Sequence, residues 1–302
     1  MVLISSSERK IMRVTSVVVA IVMGAALAGC RSSAASDGRV QVVASFYPLA
    51  EAARQVGGGH VKVTNLTPPG AEPHDLELRS SQAAAIQDAK AVLLMGHGFQ
   101  PSVEKAARRN RATVTMLDRL PKAVVGNGND PHVWLDPVLM AQLVDGIRDT
   151  LIGIDSRHQA DYTAGAATFA RQLAALDTAW RTGLAHCQRH EIVTSHAAFG
   201  YLASRYGLTQ EAIVGLAPDA EPNPGRLAAL SDLVRRDHVT TVFTETLVSP
   251  KVAQTLAREA GVATAVLNPI EGLTERDQRR GATYTSLMRD NLTKVQSALG
   301  CA

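Results

Sequence analysis

Residues 156–184 read SRHQADYTAGAATFARQLAALDTAWRTGL. The stretch contains no proline, and Phe169, Leu173, Leu176, Trp180 and Leu184 recur at spacings of four, three, four and four, which puts them on one face of a helix. One unbroken helix of that length runs roughly 40 Å. Such a rod joins two bodies rigidly and allows only small relative movement, unlike flexible crossing strands that permit hinge closure. Gly165 leaves open two shorter helices, because glycine costs about 1 kcal/mol against alanine inside a helix.

On either side of the rod lie four short, β-branched apolar runs: 40–45, 61–66, 91–95 and 113–117 before it, and 191–194, 211–216, 240–244 and 263–267 after it. Each run is continuous rather than alternating, and most lead into helix-like sequence, the pattern of buried parallel strands. The expected fold is therefore α/β, with two α/β domains at 39–155 and 186–302. Each carries a four-stranded, mainly parallel sheet, and one long rigid linker helix at 156–185 joins them. No sequence repeat relates the halves. Residues 217–225 hold three prolines and Asn223, and read as a surface loop entering a helix from Arg226 onward.

Three isolated histidines sit in turn-rich loops that follow such runs: His74 after the second, His132 after the fourth and His196 after the fifth; Asn268 follows the eighth. In open parallel sheets, ligands bind beyond the carboxyl ends of strands, so two units facing each other aim all four positions into one interdomain cleft. Three imidazoles there make a metal site. His97 also follows a strand, but reads as a surface residue or one near the cleft; His186 and His190, at i, i+4 spacing beside Cys187, read as solvated.

The first 29 residues are expected to be removed. Arg9, Lys10 and Arg13 form a basic start, an apolar stretch follows from Val14, and Leu27-Ala28-Gly29-Cys30 is a lipobox. Cys30 then becomes a lipidated N-terminus with 30–38 as its tether, holding the protein at the extracytoplasmic face of the cell membrane. Residues 1–29 carry a net +2, so the formal charge falls from +3 to +1. That leaves no basic patch for nucleic acid. Cys187 and Cys301 are the remaining thiols, and in an oxidising compartment they are expected to pair as a disulfide.

The strings Ala71-Glu72-Pro73-His74-Asp75, Asp130-Pro131-His132-Val133-Trp134-Leu135-Asp136-Pro137 and Ser195-His196-Ala197-Ala198-Phe199-Gly200-Tyr201 resemble those of the metal-binding receptor lipoproteins of bacterial zinc and manganese ABC importers. Arg205-Tyr206-Gly207-Leu208, Phe243-Thr244-Glu245 and Val248-Ser249-Pro250-Lys251 extend the likeness along the mature chain. The resemblance implies two α/β domains on a long helix, one transition-metal ion held in the cleft by His74, His132 and His196, and delivery to an ABC permease and its ATPase. It implies a monomeric solute-binding protein rather than an enzyme.

Three imidazoles suit Zn²⁺ as the transported ligand, whereas manganese receptors of this kind tend to place a carboxylate at the position of His196. A receptor for manganese or another divalent metal is the alternative. Two departures from the pattern stand out. Asn268 occupies a place where the family usually has aspartate, which leaves the fourth coordination position to Asn268, Glu245, Glu271 or water. The Gly126-Asn127-Gly128-Asn129 stretch, where many zinc receptors carry a histidine-rich loop, has no histidine. An exported zinc hydrolase is the rival class, since three histidines and an open position also describe catalytic zinc. Against it, His190-Glu191-Ile192-Val193-Thr194 lacks the second histidine of His-Glu-x-x-His.

Overall fold

Strands whose residues are apolar on both faces must be covered on both faces, and helices do this for the two central strands of each sheet, while the edge strands stay partly exposed. The computed structural model describes residues 38–125 and 130–302. The proposed leader at 1–29, Cys30, nearly all of the tether and the 126–129 stretch lie outside them. Strands β1 (Val40–Ala44), β2 (Val61–Asn65), β3 (Ala91–Leu94) and β4 (Thr113–Thr115) form one sheet in the order β2-β1-β3-β4. Strands β5 (Glu191–Thr194), β6 (Thr209–Ala212), β7 (Thr241–Thr244) and β8 (Ala263–Val266) form the other, in the order β6-β5-β7-β8. All six pairings are parallel.

Strand β6 corrects the expectation of 211–216, since it begins at Thr209 and ends at Ala212. It is an edge strand, so Thr209, Gln210 and Glu211 can pair with Glu191, Ile192 and Val193 without being buried on both faces. Ile213 and Val214, the apolar residues that shifted the expectation, lie past its end, where their N–H groups still donate to the carbonyls of Thr194 and Ser195.

The helices in chain order are α1 (Tyr47–Gly57), α2 (Ser80–Asp88), α3 (Pro101–Ala107), α4 (Lys122–Val125), α5 (Pro137–Ile154), α6 (Gln159–Gly183), α7 (Gly200–Tyr206), α8 (Pro224–Arg236), α9 (Lys251–Ala260), α10 (Glu275–Arg279) and α11 (Tyr284–Leu299). The joining rod is α6, and it is unbroken. It buries Tyr162, Ala166, Phe169, Leu173, Leu176 and Trp180, while Leu184 caps it. Gly165 serves a close approach rather than a break: a Cβ there would lie 2.5 Å from the carbonyl oxygen of Val56 and 2.7 Å from that of Gln55, at the end of α1.

The largest core cluster does not stop at either sheet. Val42 and Leu93 of the first sheet and Ile192 and Phe243 of the second belong to it, together with Trp134, Leu143, Phe169, Trp180 and Tyr284. The outer faces have their own clusters, one around Ile86, Val92 and Val103 and one around Leu230, Val234, Val242 and Leu256. Breaking the shared inner core would expose large apolar surface, so the two sheets behave as one packed body. Polar bonds also cross between them. The Trp134 indole N–H donates to the carbonyl of Pro269 at 2.8 Å, and the Tyr284 hydroxyl donates to the carbonyl of Trp134.

Cys187 and Cys301 form a disulfide across 114 positions of sequence. Closing a loop of that size restricts the unfolded chain by about 4 to 5 kcal/mol in the chain-entropy account. The bond fixes the segment after α11 beside the start of β5, where the N–H groups of Gln188 and Arg189 share the carbonyl of Leu299. Among the described residues no helix is long and apolar enough to cross a membrane.

Candidate metal centre

Each of the three histidines is delivered by a turn whose sequence accounts for its shape. His74 lies in the irregular segment between β2 and α2, where the Gln100 side-chain amide donates to the carbonyl of Pro73 at 3.1 Å. His132 precedes a 3-10 turn, Val133–Leu135, which feeds α5; Asp136 caps that helix by accepting from the N–H of Val138, and Pro137 starts it. His196 follows β5, and its carbonyl accepts from the Thr194 hydroxyl at 2.8 Å and the Gln210 amide at 3.0 Å. These segments bring residues 74, 132 and 196 to one point.

Glu271 joins them there. Its Oε1 lies 3.4 Å from His74 Nε2, 3.2 Å from His132 Nε2 and 3.3 Å from His196 Nε2, and the last two nitrogens are 3.4 Å apart. One ligand atom from each of the four residues falls within 4.8 Å of the others. A tetrahedral zinc ion with bonds of about 2.05 Å has ligand-to-ligand edges of about 3.3 Å. Four of the six edges are thus already at that spacing. His132 and His196 are fully buried, and the Glu271 and His74 side chains are 2% and 12% exposed. Three neutral nitrogens and one carboxylate oxygen in a dry pocket form a donor set for a borderline-soft divalent cation.

Two further carboxylates set the imidazole tautomers. Asp130 Oδ1 accepts both the backbone N–H of His132, at 3.0 Å, and its Nδ1–H, at 2.7 Å. Glu245 treats His196 alike, with Oε1 on the backbone N–H at 3.0 Å and Oε2 on Nδ1 at 2.6 Å. An ionised carboxylate only accepts, so Nδ1 carries hydrogen and Nε2 is left facing the centre. The aromatic neighbour of His74 is Phe99, edge-on at 4.6 Å between ring centroids.

The charges follow from this packing. Burial disfavours the imidazolium of His196, but the Glu245 and Glu271 carboxylates outweigh it and hold its pKa up at about 10. His132 is likewise raised, burial being overcome by Asp130 and Glu271. Glu271 resists the upward push of burial because hydrogen bonds from His132, His196 and His74 hold it well below the usual carboxylate range. Glu72, half-buried nearby, goes the other way: burial and then the charge of Glu271 raise it to about 8. With no metal, the cage is held by protons that an entering cation must displace. A cavity of about 430 Å³ beside it has a mainly apolar lining that includes Glu72, held largely uncharged near neutral pH, and the carboxylates of Asp75, Asp219 and Glu221, whose field favours cations.

Among the candidates for the fourth position, Glu271 lies among the imidazoles and Glu245 lies behind His196. The side-chain oxygen of Asn268 accepts from the N–H of Ile270 at 2.8 Å and from the Thr246 hydroxyl at 3.3 Å. His97 stands apart, paired with Asp118 at 2.9 Å. Sequence reasoning missed the bracing by Asp130, although its place two residues before His132 is an Asx-turn signal. Glu245 is 49 residues from His196 and leaves no local trace.

A family model described as "Zinc-uptake complex component A periplasmic" matches residues 42–298. The chain is 37% identical over 290 residues to the zinc-binding lipoprotein AdcA of Streptococcus pneumoniae, covering 89% of this chain and 58% of that protein. It spans somewhat over half the length of the AdcA relatives it matches. The high-affinity zinc uptake system protein ZnuA of Bacillus subtilis is 33% identical over 289 residues, with 89% and 91% covered. Among solved structures, the Zn(II)-bound ZnuA-like domain of Streptococcus pneumoniae AdcA superposes with a TM-score of 0.76 at 37% identity, covering 87% of this chain and 99% of that domain. Two parallel sheets on one long helix, with a buried cage between them and a family match over most of the sequence, agree: the chain belongs to the family of periplasmic A components of zinc-uptake complexes.

Proposed function

We propose that this protein captures Zn²⁺ outside the cytoplasmic membrane and delivers it, as cargo, to an ABC permease driven by a cytoplasmic ATPase. The observation that carries the reading is the spacing of the His74, His132 and His196 Nε2 atoms around Glu271 Oε1, 3.2 to 3.4 Å, which suits a tetrahedral ion. His74, His132, His196 and Glu271 are the ligands, with Asp130 and Glu245 behind two of them. Imidazole donors favour zinc over manganese, whose preference is for harder oxygen ligands. Four protein donors complete a tetrahedron and leave no open position for a reacting water, which supports a carrier rather than a hydrolase.

The relatives' names, a zinc-binding lipoprotein and a zinc uptake protein, support the same reading. In it, residues 1–29 are a leader, Cys30 the lipid anchor, 30–38 a tether, and 39–155 and 186–302 the two lobes of a monomer on the 156–185 linker. The test is calorimetric titration of the metal-free protein with Zn²⁺ and Mn²⁺ in competition. One tight Zn²⁺ site that Mn²⁺ does not displace is expected. Displacement by Mn²⁺ at comparable concentration would make this a manganese or general divalent receptor, and hydrolysis of ester or peptide substrates would restore the enzyme reading.

A further inference from the structure

Four residues after β8, from Asn268 to Glu271, form a turn bonded from several sides. Asn291, fully buried on α11, accepts from the backbone N–H of Asn268 at 2.9 Å and donates its amide to the carbonyl of the same residue at 2.7 Å. One side chain thereby satisfies both backbone groups of Asn268, as a neighbouring strand would. Trp134 holds the next carbonyl, that of Pro269. Ile270 then adopts φ +57° while fully buried. A β-branched residue is disfavoured in the left-handed region and persists there only when its surroundings fix it.

The side chain of Asn268 fixes it. Its oxygen accepts the N–H of Ile270, closing an Asx turn, and also accepts the Thr246 hydroxyl. Both lone pairs of that oxygen are used, and an amide nitrogen has none to offer, so Asn268 has no donor electrons left for a cation. Glu271 is the next residue after Ile270. If Ile270 relaxed to negative φ, the chain beyond it would turn away and carry the Glu271 carboxylate off the three histidines.

We propose that Asn268 is a positioning residue, not a ligand: braced by Asn291, it holds Ile270 in the left-handed conformation that points Glu271 into the cage. The proposal rests on Glu271 and the three histidines being the zinc site. Its test is a double-mutant cycle read by Zn²⁺ titration of the metal-free protein, with the visible spectrum of the Co²⁺-loaded protein as second readout. Asn268→Ala is expected to weaken Zn²⁺ binding by about 10- to 100-fold, the usual effect of removing a group that orients a ligand. In a Glu271→Gln background the same change is expected to cost less than about threefold, because both changes remove one contact. The Co²⁺ spectrum of Asn268→Ala is expected to shift toward that of Glu271→Gln.

Asn268→Asp keeps the oxygen and is expected to recover most of the affinity that alanine loses. Additive losses in the cycle would overturn the proposal. Where Asn268→Ala fails to fold, Asn268→Asp decides: tightening of about tenfold or more that persists with Glu271→Gln would make residue 268 a ligand position. Failure of the unaltered protein to bind Zn²⁺ would instead remove the zinc reading itself, and this proposal with it.

Discussion

Glu245 and Glu271 follow adjacent strands of the second sheet, are both buried, and both bond His196, yet they stand on opposite sides of its ring. Glu245 meets the backbone N–H and Nδ1 of one histidine. Glu271 meets Nε2 of three. Burial and charge are therefore poor guides for telling these carboxylates apart; what separates them is the nitrogen each faces, Nδ1 behind one imidazole or Nε2 at the point where three converge.

The largest effect should come from the Nε2 side. Glu271→Gln removes the one negative donor and is expected to lower Zn²⁺ affinity by about two to three orders of magnitude, or about 3 to 4 kcal/mol. Isothermal titration against a competing chelator measures it. A loss smaller than that of the Glu245 variant would invert the assignment of the two carboxylates.

On the Nδ1 side, Glu245→Gln and Asp130→Asn should each cost about 10- to 100-fold, because the neutral amide no longer compels hydrogen onto Nδ1. The two changes act on different histidines, so their effects should be close to additive in the double variant. Strong non-additivity would mean that the two braces form one unit.

The pH dependence separates the same two sides. With a folded-state pKa near 10 against an unfolded value near 6.5, His196 contributes stability to the metal-free protein that is fully present below about pH 6.5 and is lost as pH rises through 10. Glu271, held low, contributes stability that is present above its ordinary range and lost only as pH falls well below 4.5. Zinc takes the place of the protons, so the apo melting temperature should fall between pH 6.5 and 10 while the rise on adding Zn²⁺ grows. Calorimetry in buffers of different ionisation enthalpy should show proton release. In Glu245→Gln the alkaline slope should flatten, and an unchanged slope would place the raised His196 pKa on Glu271 alone.

Much of this was legible from sequence, for local reasons. The apolar runs located all eight strands of the described residues, with β6 displaced because edge strands need not be apolar. The proline-free stretch with its 3.6-residue periodicity gave α6. His196 was legible because its turn directly follows β5, whereas His74 and His132, farther from their strands, were legible from the Pro-His-Asp and Pro-His-Val-Trp-Leu-Asp-Pro strings that carry them. The orientation of the acidic residues was not. Glu245 reaches His196 across 49 residues and Glu271 reaches His74 across 197, distances over which no motif operates. The turn of Ile270 depends on Asn291, far along the chain on α11, so Asn268 could not be told from a ligand.

Trp134 links the turn that carries His132 to the turn that carries Glu271, and it should show the smallest effect on affinity. Its ring packs against Phe46, Phe99 and His132, while its N–H satisfies the buried carbonyl of Pro269. Trp134→Phe keeps an aromatic ring and deletes the hydrogen bond, leaving that carbonyl unpaired at a cost of about 1 to 3 kcal/mol in unfolding free energy. Asn291 still holds the backbone of Asn268, and Asn268 still holds Ile270, so Glu271 should keep its aim. Zn²⁺ affinity should then fall by no more than about fivefold, under 1 kcal/mol, while the denaturation midpoint drops clearly. If affinity instead collapsed to the level of Glu271→Gln, the bond between the lobes, rather than Asn268 and Asn291, would be what points the carboxylate at the histidines.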